Sequence, residues 1–203
     1  MAAPGKHRSN ATDSETVAKK KRFPGHWSQG LLSSMENPEL RVDSDDQAVV
    51  IKDKYPKAKY HFLVLPKMKI SNLKSVTGDH VSLLKHMHKM GSKIAKRSDE
   101  NLKFKMGYHS IPSMGQLHLH VISEDFCSPC LKTKKHWNSF TTSYFIDSTE
   151  VIETVEKEGK LSVDETLNQK LLKENLRCHV CHKEFTTMPA LKQHITQHDY
   201  SSK

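Results

Sequence analysis

Apolar and polar side chains alternate through Gln116-Leu117-His118-Leu119-His120-Val121-Ile122-Ser123, the period of two that a β-strand imposes. Gln116, His118 and His120 fall on one face, and Leu117, Leu119 and Val121 on the other. The same kind of run predicts strands over 47–51, 60–65 and 104–109, the last bringing His109 toward the central strand. Between the first two, residues 53–59 read as a turn, with Pro56 breaking any ladder. Helical spacing replaces alternation at Val81, Leu84, Met87, Met90 and Ile94, which predicts a helix over 79–96 with Asp79 as its N-cap. Shorter helical patterns cover 26–35, 149–158 and 164–174, with Gly159 stopping the second.

Residues 1–24 carry no apolar periodicity, and we expect a disordered basic tail there. Its Lys19-Lys20-Lys21-Arg22 run is a weak nuclear-localisation signal, so a nuclear location is expected. The net charge of +9 favours polyanionic partners, nucleic acid before anionic membrane. No stretch reaches the ~18 apolar residues of a membrane span, and no membrane partner is expected. Seven lysines against one acidic residue between Lys52 and Lys74, Lys57 and Lys59 among them, are read as a strip for DNA phosphates, the alternative being lysines that only solvate a surface. Lys134 and Lys135 form a second basic patch.

Two histidines one residue apart on a strand stand ~7 Å apart. That suits a phosphate lying across them: one ring attacks phosphorus while the other donates to a phosphate oxygen. The plainer reading is a half-buried strand that happens to carry histidines. The C-terminal pattern Cys178-x2-Cys181-x12-His194-x3-His198 is more specific. Two thiolates and two imidazoles at this spacing match one structural zinc ion in a ββα finger. Phe185 and Leu191 fall where a finger places its small core, and Pro189 opens the helix carrying His194 and His198 at i and i+4. His179 and His182 are off-pattern and expected exposed; His86 and His88 are assigned structural roles. Cys127 and Cys130 have ligand spacing, but the C-terminal pair has nearer partners, so we expect them reduced and unligated.

The central stretch, with Tyr108-His109-Ser110-Ile111-Pro112-Ser113-Met114 and Tyr60-His61-Phe62-Leu63-Val64-Leu65-Pro66, resembles the histidine-triad (HIT) family. Gly25-His26-Trp27-Ser28-Gln29-Gly30-Leu31, Lys52-Asp53-Lys54-Tyr55-Pro56-Lys57-Ala58 and Lys134-Lys135-His136-Trp137-Asn138-Ser139-Phe140 are similar to the aprataxin-like branch, the DNA 5′-adenylate hydrolases. The resemblance runs from about Pro24 to His198. It implies an α+β fold with a HIT-like antiparallel sheet and flanking helices over 25–147. Connecting helices would follow over 148–174 and the finger over 175–203.

The implied substrate is DNA carrying a 5′-AMP through a pyrophosphate, with AMP as product and no catalytic metal required. His118 matches the attacking histidine, which would form an adenylyl-histidine that water opens. His120 would hydrogen-bond the phosphoryl oxygens, and His109 would protonate or stabilise the leaving phosphate. Asp53 would accept the ribose hydroxyls, and His61 matches a position near the phosphate. Ser113 could donate to the DNA phosphate. Trp27, followed by Ser28, would stack on the end of the duplex. Gln116 departs from the family, where histidine usually begins the triad; an amide can hold a phosphate oxygen or orient His118, but it cannot titrate.

The span before Pro24 is too short for a forkhead-associated domain, so scaffold partners are not expected. Nicks, double-strand ends and RNA–DNA junctions stay open as substrates. Two alternatives remain: a HIT hydrolase of small nucleotides, and a non-catalytic DNA-binding adaptor in which Gln116 marks a decayed site.

Overall fold

The computed structural model describes Met1 and residues 28–202. Trp27 and the basic tail therefore lie outside the described residues. The chain runs through α1 (Ser28–Glu36), β1 (Arg41–Ser44), β2 (Ala48–Lys52) and β3 (His61–Pro66), then two short 3-10 turns and α2 (Val81–Ser98). Next come β4 (Phe104–His109), β5 (Leu119–Ser123), α3 (Lys134–Thr141), β6 (Phe145–Asp147), α4 (Ser148–Glu158) and α5 (Glu165–Leu171). The finger follows as β7 (Leu176–Arg177), β8 (Glu184–Phe185) and α6 (Met188–Ile195). No helix among the described residues is long and apolar enough to cross a membrane.

Six antiparallel strands form one sheet in the order β1-β2-β3-β5-β4-β6. β5 is central and buried along its whole length. The two-residue period sorts its side chains as expected. Leu119 and Val121, with Leu117 before them, join Val50, Val64, Leu84, Met87, Val151 and Val155 in the core under α2 and α4. Ile122 faces the other way, into a cluster under α3 that also takes in Leu176, Cys178, Leu191 and Ile195. The finger thus shares an apolar core with the sheet. A third cluster, Leu31 with Val49, Ile51, Leu63 and Leu65, puts α1 on the far end of that same face.

Several boundaries differ from the sequence reading. β5 starts at Leu119, not Gln116, because Pro66 has no N–H with which to extend the β3–β5 ladder. Asp79 does not cap α2: it sits inside a 3-10 turn capped by Thr77, and His80 occupies the N-cap of α2. α5 ends at Leu171, with Asp164 as its cap. Gly159 ends α4 in the left-handed conformation at φ 75°, as its residue type allows. His86 and His88 do have structural partners, Asp45 at 2.8 Å and Ser148 at 2.7 Å.

Candidate active site

Four histidines meet on the face of the sheet turned toward α3. His61 comes from β3, His109 from β4, His120 from β5 and His118 from the residue before β5. Ring centroids lie 4.4 Å apart for His109–His120, 4.8 Å for His118–His120 and 5.2 Å for His61–His120. Sheet register explains the room for His120: its partner on β4 is Gly107, which contributes no side chain to that face. A Cβ on Gly107 would come within 2.5 Å of the Phe145 ring. Phe140, from α3, closes the cluster by setting its ring at steep angles to His61, His109 and His120, at 4.7–5.4 Å.

Hydrogen bonds fix the proton positions. His118 Nδ1 lies 2.7 Å from the Gln116 carbonyl oxygen, which can only accept, so Nδ1 carries the hydrogen and Nε2 the lone pair. The Lys57 main-chain N–H donates to His61 Nδ1 at 3.2 Å, so the His61 proton sits on Nε2. From there it is donated to His120 Nδ1 at 3.0 Å. That leaves the His120 proton on Nε2, a buried atom with no hydrogen-bond partner among the described residues; His109 Nε2 is likewise without one there. The cluster therefore offers one nucleophilic lone pair on His118 beside a free N–H on His120.

Burial keeps these rings neutral. It pushes His61 down to about 4 against the opposing pull of Asp53, whose carboxylate lies 3.5 Å away. Burial holds His118 below the usual range, although the bond to Gln116 and the charge of Asp53 act the other way. His109 and His120 lie further below it, burial first and neighbouring rings and Lys57 second. A neutral imidazole is the form that can attack phosphorus. Bringing a phosphate into the cluster would replace burial with a negative charge and favour the protonated rings that stabilise it.

The other residues singled out in the sequence fall at varied distances from this cluster. Asp53 lies beside His61, with its other oxygen accepting from the Tyr55 main chain. Gln116 is buried, and both its amide bonds go to main-chain carbonyls of Pro66 and Met68. Ser113 is exposed in the loop before β5. Lys57 is half-buried beside the cluster; Lys59 pairs with Asp99 at 3.5 Å and lies over the Tyr60 ring. Lys134 and Lys135 open α3 after its Thr133 cap. Ser28 begins α1.

Sequence reasoning assigned no role to Phe140, Gly107 or Lys105. Lys105 shares the period-two face of Gly107 and His109, and its ammonium donates to the Phe140 carbonyl at 2.7 Å. Burial lowers its pKa. That shared period was the available signal.

At the finger, Cys178, Cys181, His194 and His198 bring one donor atom each to within 4.8 Å of one another. Cys178 Sγ lies 3.2 Å from His198 Nε2, Cys181 Sγ 3.1 Å from His194 Nε2, and the two Nε2 atoms lie 3.1 Å apart. Edges of about 3.3–3.7 Å follow from zinc's bond lengths in a tetrahedron, so the four fit one ion with small adjustment. They hold a structural zinc. Two details differ from expectation. His198 lies in the turn beyond α6, not on the helix. His179 is not exposed: it is half-buried against the sheet domain, bonded to the Glu124 carbonyl at 2.9 Å and stacked on Tyr200 at 5.5 Å. His182 is exposed, and Cys127 and Cys130 are free thiols.

Residues 26–136 match the family model of the scavenger mRNA decapping enzyme C-terminal region, and residues 141–199 match that of the C2HE / C2H2 / C2HC zinc-binding finger. The chain is 55% identical to aprataxin of Gallus gallus over 94% of its own length and 61% of that protein. It is 33% identical to the aprataxin-like protein of Saccharomyces cerevisiae, covering 83% of this chain and 94% of that one. It spans about three fifths or less of the animal relatives: 61% for Gallus gallus and 56% for Danio rerio. A crystal structure of the aprataxin ortholog Hnt3 in complex with DNA superposes with a TM-score of 0.66 at 26% identity, over 87% of this chain and 94% of that one. Paired histidines on a central strand, a Cys2His2 finger docked against the same sheet, and these likenesses place the chain in the aprataxin family of histidine-triad proteins.

Proposed function

We propose that this chain removes AMP from the 5′ end of adenylated DNA. The observation that carries the reading is the pairing of a fixed Nε2 lone pair on His118 with a free N–H on the adjacent His120. His118 Nε2 attacks the phosphorus of the AMP group. The bond from that phosphorus to the bridging oxygen breaks, and the DNA leaves with its 5′-phosphate. His109 gives or shares a proton with the departing oxygen, and His120 donates to the non-bridging oxygens. Water then attacks the adenylyl-histidine, the P–N bond breaks, AMP departs, and His118 recovers its lone pair. Asp53 takes the ribose hydroxyls, and Ser113 contacts the DNA phosphate.

DNA as the carrier is supported by the net charge of +9, by Lys57, Lys59, Lys134 and Lys135, and by the DNA-bound relative of this fold. Trp27 and Ser28 extend the reading to the terminal base pair. A nuclear location follows from the same substrate and is tested by imaging a fluorescent fusion. The match to a decapping-enzyme family favours a second reading, hydrolysis of a small nucleotide phosphoanhydride.

Incubation with 5′-adenylated nicked DNA separates them. The expected result is AMP release, an acid-labile adenylyl-protein, and loss of both in His118→Ala. A higher kcat/KM on free dinucleotide than on adenylated DNA would favour the second reading. Tight DNA binding with no AMP release would leave only an adaptor.

A further inference from the structure

Gln116 is almost wholly buried, at 1% exposure, yet it is the polar residue where a family histidine would stand. Its amide nitrogen donates to the Pro66 carbonyl at 3.1 Å and to the Met68 carbonyl at 3.0 Å. Both hydrogens of one nitrogen are used on two main-chain acceptors. A neutral imidazole has one N–H in all, and a carboxylate has none. Among uncharged side chains, a primary amide of this length can serve both carbonyls from a single atom.

The location gives that bond pattern a purpose. The β3–β5 ladder ends at Val64–Leu119, two residues before Pro66, which lacks an N–H. Beyond that point the chain before β5 is tied to the segment after β3 by the Gln116 amide and by the Leu117 N–H, which donates to the Ile70 carbonyl at 2.7 Å. The main-chain carbonyl of Gln116 is the group that receives the His118 Nδ1 hydrogen. One residue therefore anchors itself by its side chain and sets the nucleophile's proton by its backbone.

We infer that Gln116 is a positioning residue for His118: its carboxamide clamps the strand entry so that its own carbonyl holds the lone pair on His118 Nε2. The kinetic side of this rests on the adenylate-hydrolase reading; the tautomer does not. The residue acts through His118 and has no contact with phosphorus. Replacing it with methionine keeps length and burial but removes both donors. The Leu117 N–H, which shares a peptide plane with that carbonyl, is then left as the remaining tie to Ile70; the plane tilts about it, and the imidazole populates both neutral forms.

The test is a long-range 1H–15N correlation spectrum of the His118 ring in the zinc-loaded protein without substrate, beside steady-state kinetics on adenylated DNA. In the wild type, Nδ1 should resonate as a protonated nitrogen and Nε2 as an unprotonated one. In Gln116→Met the two signals should move toward each other, and kcat should fall about 10–100-fold with KM little changed. Gln116→Asn, which keeps the amide one methylene short, should recover part of both. Wild-type ring signals in a folded Gln116→Met protein would overturn the inference. So would a wild-type ring with its proton on Nε2, a result that needs no variant to fold. Absence of AMP release in every protein would sink the adenylate reading and leave the ring-nitrogen result to be judged alone.

Discussion

At His61, burial and charge pull in opposite directions, and burial prevails: the ring takes its proton only near about 4, against 6.5 for an ordinary imidazole. Between those values the unfolded chain binds a proton that the folded chain refuses. The stability His61 contributes is therefore fully present above pH 6.5 and is lost as the pH falls toward 4. Lowering the pH from 7 to 5 should cost about 4–8 °C in Tm through this residue. His61→Phe should flatten the slope by that amount, read by calorimetry on both proteins with zinc bound. A variant with an unchanged slope would mean the ring is already charged. The alternation around His118 made His118 and His120 legible in the sequence, because a period of two needs only neighbours, and the strand expected over 104–109 brought in His109. His61 was legible only by family likeness, since its approach to His120 depends on the pairing of β3 with β5. The proton arrangement was not legible, because it depends on main-chain groups of Lys57 and Gln116 that have no residue-type signature.

The elements were easier to read than their ends. α2 announced itself by its stripe, and Leu84, Met87 and Ile94 are buried as that stripe requires. Its cap was misread, since a 3-10 turn precedes the helix and takes the capping role to Thr77. On β4, what matters is a missing side chain. Alanine at Gly107 would put a Cβ 2.3 Å from the Ile146 carbonyl oxygen, on the neighbouring strand β6. Backbone cannot yield as a flexible side chain can, so Gly107→Ala should cost about 3 kcal/mol or more in urea unfolding. Gly30 in α1, where an added Cβ would meet nothing within 4 Å among the described residues, is the matched control. Gly30→Ala should be neutral or stabilising by up to about 1 kcal/mol. Equal effects at the two sites would show that space opposite His120 is not the reason for Gly107.

Across the whole molecule, the finger was the clearest pattern in the sequence, and its attachment was the least visible. Spacing names four ligands but not what the finger leans on. Trp137 Nε1 donates to the Arg177 carbonyl at 2.8 Å, beside the first zinc ligand, and Phe140, one helical turn on, walls the histidines. Lys192 of α6 reaches the Ser128 carbonyl at 2.7 Å. His179 was expected in solvent because nothing local signals that docking covers it. Removing zinc with a chelator should therefore loosen α3 as well as the finger. In a Trp27→Phe background, the Trp137 emission should shift to the red and Tm should fall by about 10 °C or more. A red shift absent after complete metal removal would separate the two parts energetically.

Because Leu176, Cys178 and Leu191 sit in the same apolar cluster as Ile122 and Trp137, no slack joins the finger to the sheet. A body of this kind works as a caliper: the gap between its two jaws is set by packing and does not adjust to what it grips. If one jaw holds a strand, the other must meet that strand at a constant number of nucleotides from the reactive phosphorus, and the protected length on any substrate should be the same.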